Sequence, residues 1–156
     1  MKTAFFRFEA SPLIGAGHAI RSCVIADALI EEGWVCKIVA LEQTVEFIKN
    51  LKKYEFINPE DFYELSPEAD LLVIDNYDLD ETYEKHFRSK IKKIFVIDDL
   101  ANRKHDCDIL LDQTYGRNPV DYKALVPEHC TILAGSDYVL IRKEFIEMRS
   151  KALEKR

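Results

Sequence analysis

The sequence predicts an α/β domain built on a doubly wound, mostly parallel sheet. Three observations carry this. Short apolar runs rich in β-branched residues alternate with segments whose apolar residues recur at helical spacing. The strand-like runs are nearly continuous rather than alternating, as in strands covered by helices on both faces. The clearest of them end in acidic and polar residues, as strands do where they leave the ligand-facing edge of such a sheet.

The elements follow in order. "TAFFRF" (Thr3–Phe8) reads as the first strand, and "SPLIGAGHAIRS" (11–22) as a glycine-bearing turn entering a helix over 18–32. In that helix Ala19, Cys23, Ala26 and Ile30 share a face, widened by Ile20 and Leu29, and Gly33 suits the C-cap. "WVCKIVA" (34–40) returns as a strand, and a short helix follows over 44–51. "DLLVIDNY" (70–77) and "IKKIFVIDDL" (91–100) are the clearest strands, with a helix over 80–90 between them. "CDILLDQ" (107–113) and "CTILAG" (130–135) add two short strands, and 143–156 reads as a closing charged helix. There is no internal repeat or low-complexity segment.

Composition narrows the function classes. With 156 residues, 47% apolar and 32% charged, the chain suits one soluble domain or one lobe of a larger enzyme. A formal charge of −6 argues against nucleic-acid or anionic-membrane partners, which need a basic footprint. The basic residues near the end (Arg142, Lys143, Arg149, Lys151, Lys155, Arg156) are interleaved with glutamates, as on a solvated helix face. No apolar run approaches the roughly 20 residues of a membrane span, and "MKTAFFRFEAS" lacks a signal-peptide pattern. A cytoplasmic location is expected. Cys23, Cys36, Cys107 and Cys130 form no CxxC pair, so they read as small buried hydrophobes in a reducing compartment rather than a zinc site.

Chemistry is expected at the carboxyl ends of the strands. That edge receives Gly15, Gly17 and His18 from the first strand, Asp75, Asn76 and Tyr77 from the "LLVID" strand, Asp98 and Asp99 from "IFVID", and Asp112, Gln113 and Tyr115 from "DILLD". "GAGHAIRS" is not a dinucleotide fingerprint, since Ile20 stands where a third glycine would be, and no lysine follows as in a phosphate-binding P-loop. Its glycines still let backbone approach a ligand closely. His18 falls in the first helical turn, where the dipole disfavours an imidazolium and leaves the ring able to accept a proton. From spacing alone, a polar helix start without chemistry is an equal reading. Asp75, Asp98 and Asp99 suit turn or helix caps, and Tyr77 and Tyr115 suit half-buried rim positions. Adjacent carboxylates on a strand end point in different directions, which disfavours a metal held by Asp98 and Asp99.

These residues resemble a known family. "IGAGHAIRSCVIADAL" is similar to the I-G-x-G-H-x-x-R stretch of the UDP-2,4-diacetamido-2,4,6-trideoxy-β-L-altropyranose hydrolases of pseudaminic acid biosynthesis. "LLVIDNY", "FVIDDLA", "CDILLDQ", "DYKALVP" and "LAGSDYVLIRKEF" follow in the family's order. The resemblance implies the fold of the N-terminal domain of GT-B-type glycosyltransferases, the group that includes the peptidoglycan lipid-intermediate enzyme. It also implies metal-independent release of UDP from the anomeric carbon by water, with inversion and no cofactor. Carried over by motif, His18 matches the histidine implicated in activating the water, Tyr77 the tyrosine beside it, and Gly15 and Gly17 the glycines flanking the sugar. The expected site is therefore His18 and Tyr77 as catalytic residues, with Gly15, Ala16, Gly17, Arg21, Asn76, Asp98 and Gln113 binding the substrate.

Two positions depart from the family pattern. Glu9 stands for the aspartate of its R-x-D-x-S stretch, and Asp112 for the asparagine after "DILL", which is expected to add negative charge near the substrate. Family members carry a second α/β domain with most of the UDP contacts after the R-x-E-F helix. The expected organisation is thus a Rossmann-like sugar-side domain over 1–142 and a helix or interdomain linker over 143–156, with the nucleotide-binding domain as the missing partner. By itself the domain is expected to be inactive. A glycosyltransferase half, with a sugar or lipid hydroxyl replacing water, and a standalone sugar-binding module are the alternatives.

Overall fold

The computed structural model describes residues 1–140 and 143–154. Seven strands form one sheet: β1 (Thr3–Phe8), β2 (Val35–Val39), β3 (Glu55–Ile57), β4 (Ala69–Asp75), β5 (Ile91–Ile97), β6 (Ile109–Asp112) and β7 (Thr131–Ala134). Their spatial order is β3-β2-β1-β4-β5-β6-β7, and every pairing is parallel. The helices are α1 (Gly17–Glu31), α2 (Glu42–Phe47), α3 (Pro59–Leu65), α4 (Glu81–Phe87) and α5 (Lys143–Glu154). The strand order reverses between β1 and β4, the switch point at which Rossmann-like sheets open a crevice at their carboxyl edge.

Both faces of the sheet are buried. On β1, Ala4, Phe6 and Phe8 point to one side and cluster with Ala19 and Ala26 of α1. Phe5 points to the other side, where it meets Phe62 of α3 at 4.9 Å between ring centroids, and Phe62 in turn stacks on Phe87 of α4 at 4.8 Å. Burying each such ring contributes about 1.5–3 kcal/mol. That double-sided burial is why the strands read as continuous apolar runs.

The structure corrects several expected elements. Within α1 the buried positions are His18, Ala19, Ser22 and Ala26, whereas Ile20 and Ile30 are exposed. The buried face is His18 with the small Ala19, Ser22 and Ala26, flanked by Cys23, Ile25 and Leu29, which pack partly buried against the core. The strands expected to reach 77, 100 and 113 stop at Asp75, Ile97 and Asp112. At each end a polar side chain bonds to nearby backbone and turns the chain: Asn76 accepts from the Asp78 N–H, Asp98 from the Ala101 N–H and Asp112 from the Thr114 N–H. The helix expected over 44–51 starts at Glu42, breaks at extended Ile48 and resumes as a 3-10 turn over Lys49–Lys53. The helix expected over 80–90 runs only to Phe87.

β3 and α3 were not expected. β3 has only three residues, too few for a periodic signal. α3 does carry a local start signal, since the Asn58 side chain accepts from the Glu60 N–H and Pro59 takes the first helical position. The expected boundary at 142 and the last two residues of the expected closing helix lie outside the described residues. Among the described residues no helix is long and apolar enough to cross a membrane.

Candidate functional site

The site forms where the sheet's register brings β1 and β4 to the same level. Phe8 pairs with Asp75, so both strands end together at the switch point. After β1 the chain makes a tight turn, in which the Gly15 N–H donates to the Ser11 carbonyl at 2.7 Å and the Ile14 N–H to Ser11 Oγ at 3.0 Å. Gly15 has φ +88°, a conformation that favours glycine. Ala16 is the N-cap of α1 and offers no side-chain cap, and the first turn carries no acidic residue. Gly17 follows with an ordinary φ, and a Cβ there would meet no protein atom within 4 Å.

His18 then turns inward and is buried, with its Nδ1 2.5 Å from Asp75 Oδ1. Arg21, one helical turn later, grips the same carboxylate as a fork, Nε to Oδ2 and Nη2 to Oδ1 at 2.6 Å. Its Nη1 also reaches Asp99 Oδ2 at 3.4 Å. Burial opposes the Arg21 charge, but hydrogen bonding and charge from Asp75, together with the Asp99 charge, raise its pKa above the usual value. Tyr77 sets its ring edge-on to His18, centroids 4.7 Å apart, and donates its hydroxyl to Asp99 Oδ2 at 2.9 Å. Burial, followed by that hydrogen bond, pushes the Tyr77 phenol up to about 12.

His18, Arg21, Asp75, Tyr77 and Asp99 thus close a ring of contacts at the switch point, with α1 reaching across to the ends of β4 and β5. No family model matches the chain. Over 157 residues it is 32% identical to the "UDP-2,4-diacetamido-2,4,6-trideoxy-beta-L-altropyranose hydrolase" of Campylobacter jejuni subsp. jejuni serotype O:2, a match taking in 97% of this chain and 56% of that protein. The chain is thus similar to that protein over almost its own whole length. It spans a little over half the length of the curated relative it matches.

The remaining expected site residues at the strand ends lie apart from the ring. Asp98 is buried behind it: Oδ1 accepts from Arg103 Nη1 at 2.9 Å, and Oδ2 accepts from the Ala101 N–H and lies 3.0 Å from the Tyr122 hydroxyl. Burial works against its ionisation, but the Arg103 charge and these hydrogen bonds hold it below the usual carboxylate range. Asn76 closes its own turn through its side chain and receives Arg103 on its carbonyl. Gln113 accepts from the Leu140 N–H at 2.9 Å.

The two departures from the family pattern also face the fold. Glu9 receives Arg7 at 2.6 Å, the Leu41 N–H at 3.1 Å and the Thr44 hydroxyl, which ties the end of β1 to the start of α2. Asp112 is fully buried, 2.6 Å from the Tyr122 hydroxyl and 2.8 Å from Arg117 Nε. Its charge is met inside the fold by Arg117. A buried carboxylate at this place is stable only against such partners, and it has them.

Asp75 and Asp99, carboxyl-edge residues that by sequence also suit caps, stand in the ring with His18. Asp75 immediately precedes the Asn76–Tyr77 pair at the end of the strand beside β1, the one sequence signal that pointed to it. Among the described residues no group of three or more histidines, cysteines or carboxylates is arranged to hold a metal ion. All four cysteines are free, with the Cys107 and Cys130 sulfurs 3.7 Å apart.

Proposed function

We propose that this chain is the sugar-side, N-terminal half of a UDP-sugar hydrolase acting on a diacetamido-trideoxy sugar. The observation that carries the proposal is the buried His18 ring at the switch point of a domain whose relative bears that hydrolase name. In this reading His18 removes a proton from a water, the water oxygen attacks the anomeric carbon, and the bond from that carbon to the diphosphate oxygen breaks. A single in-line displacement inverts the anomeric centre and releases UDP, without a metal. Tyr77 steadies the ring from its edge and adds a polar hydroxyl beside the reacting centre. The backbone of Gly15, Ala16 and Gly17 faces the sugar. The open space around a Gly17 Cβ supports this, since nothing inside the protein calls for glycine there. Arg21, Asn76, Asp98 and Gln113 serve the substrate from behind, by holding the strand-end loops.

The organisation proposed is a sugar-side domain over 1–142 and a linking helix over 143–156, leading to a nucleotide-binding domain as in GT-B-type enzymes. Donors on that second domain would meet the charge of the departing diphosphate and supply the binding energy of the remote uridine. Without them the isolated half has an open, wet site and is inactive. A cytoplasmic setting belongs to the same reading and is supported by the free cysteines.

The test uses the complete polypeptide that carries this domain, incubated with the UDP-sugar in ¹⁸O-water. The expected result is ¹⁸O on the anomeric hydroxyl of the sugar, none on UDP, and an inverted first-formed anomer. His18→Ala should lower turnover by on the order of 10²–10⁴. Label in the phosphate, a new glycoside in place of free sugar, or near-normal turnover without His18 would refute the reading.

A further inference from the structure

We infer that Asp75 is a positioning residue, clamped by Arg21, that fixes the proton of His18 on Nδ1 and leaves Nε2 bare as the proton-accepting atom. The inference deepens the hydrolase reading and rests on it for its catalytic meaning. The placement of the proton rests on geometry alone.

Asp75 is 1% exposed at the end of β4, so no bulk water competes for its oxygens. Its Oδ1 lies 2.5 Å from His18 Nδ1 and 2.6 Å from Arg21 Nη2, and its Oδ2 receives Arg21 Nε. A carboxylate paired with a guanidinium fork carries no proton of its own, so the hydrogen between Asp75 and His18 belongs to the ring. Arg21 Nη2 is also 3.3 Å from Nδ1, the geometry needed if Nδ1 were an acceptor. That alternative would set two lone pairs against each other at 2.5 Å. The shorter contact therefore decides the tautomer.

The clamp also fixes the ring's orientation. His18 and Arg21 sit on one face of α1, three residues apart, and both are bound to one carboxylate on another element. The charged and titratable groups facing the ring are Asp75, Arg21, Tyr77 and, through Tyr77 and Arg21, Asp99. Arg21 balances the charge of Asp75, so the carboxylate orients the imidazole without leaving an unmatched negative charge against it.

Asp75→Leu isolates the effect, because it keeps a similar volume and removes both acceptors. Nδ1 then loses its carboxylate and is left facing Arg21 Nη2, a donor 3.3 Å away. His18 must accept there and carry its proton on Nε2, the wrong nitrogen for a base.

The experiment is ¹⁵N–¹H NMR of the histidine ring nitrogens in the 156-residue chain, wild type and Asp75→Leu, together with turnover of the complete protein. The expected spectrum has a protonated Nδ1 and a bare Nε2 at His18, with the proton moving to Nε2 in the variant. Turnover should fall by roughly 10²–10⁴ with KM little changed, the pattern of a misplaced tautomer. A wild-type ring protonated on Nε2 overturns the inference without any variant, and so does an Asp75→Leu ring identical to wild type. If the proton moves as expected while His18→Ala leaves turnover intact, the positioning role stands and the hydrolase base assignment fails.

Discussion

Removing one hydroxyl, by Tyr122→Phe, probes the buried polar joint behind the site. The Tyr122 ring is fully buried, and its oxygen lies 2.6 Å from Asp112 Oδ2 and 3.0 Å from Asp98 Oδ2. Both carboxylates are buried, at 0% and 1% exposure, so neither can recover the bond from water. A hydrogen bond to a charged group is worth about 1.5–3 kcal/mol, and one hydroxyl proton serves one carboxylate at a time. Asp98 keeps Arg103 and the Ala101 N–H, and Asp112 keeps Arg117 and the Thr114 N–H, which limits the loss at the second carboxylate. The expected cost is therefore about 2–3 kcal/mol. For a domain of this size that lowers Tm by roughly 4–12 °C. Denaturant unfolding of wild type, Tyr122→Phe and Tyr115→Phe measures it. Tyr115 is 90% exposed, and its variant should stay within about 0.5 kcal/mol of wild type. A Tyr122→Phe midpoint equal to that of Tyr115→Phe, at unchanged slope, would refute the claim that this hydroxyl ties β5 to β6.

Two further outcomes follow from the same structure. Burial, with help from carboxylate neighbours at Tyr77, raises the phenols of Tyr77 and Tyr83 to about 12, and Tyr54 and Tyr122 are also raised. A raised folded pKa means that the unfolded chain loses these protons first, near pH 10, so stability is complete below that and falls as pH climbs toward about 12. Ultraviolet titration of the native chain should find late-ionising phenols, and all seven tyrosines titrating together near the ordinary value would contradict this. Asn58→Ala removes the cap of α3 and should cost about 0.5–2 kcal/mol in the same denaturant assay, whereas an unchanged midpoint would mean that α3 is held by Phe62 alone.

Much of the fold was legible because the signals involved are local. A strand covered on both faces must be apolar throughout, and "TAFFRF", "LLVID" and "IFVID" announce β1, β4 and β5 in that way. The turn before α1 is legible for a similar reason, since Gly15 marks a positive φ and His18 falls at the helix start. β3 escaped notice because a three-residue strand has no period to read. The exposed Ile20 and Ile30 misled because spacing identifies a face but not which residues a sheet has room to accept.

The sequence by itself determined the α/β class, the carboxyl-edge residues and the family resemblance, all of which reside in short motifs and their order. Only the tertiary structure decided what each of those side chains does. Asp75 stands 57 positions from His18 and reaches it because β1 and β4 are neighbours with Phe8 and Asp75 in register. Glu9 and Asp112, which stood out as departures beside a substrate, are turned inward by Thr44, Arg7, Tyr122 and Arg117. Periodicity is written in neighbouring residues, whereas the partner of a buried charge is set by strand order and register.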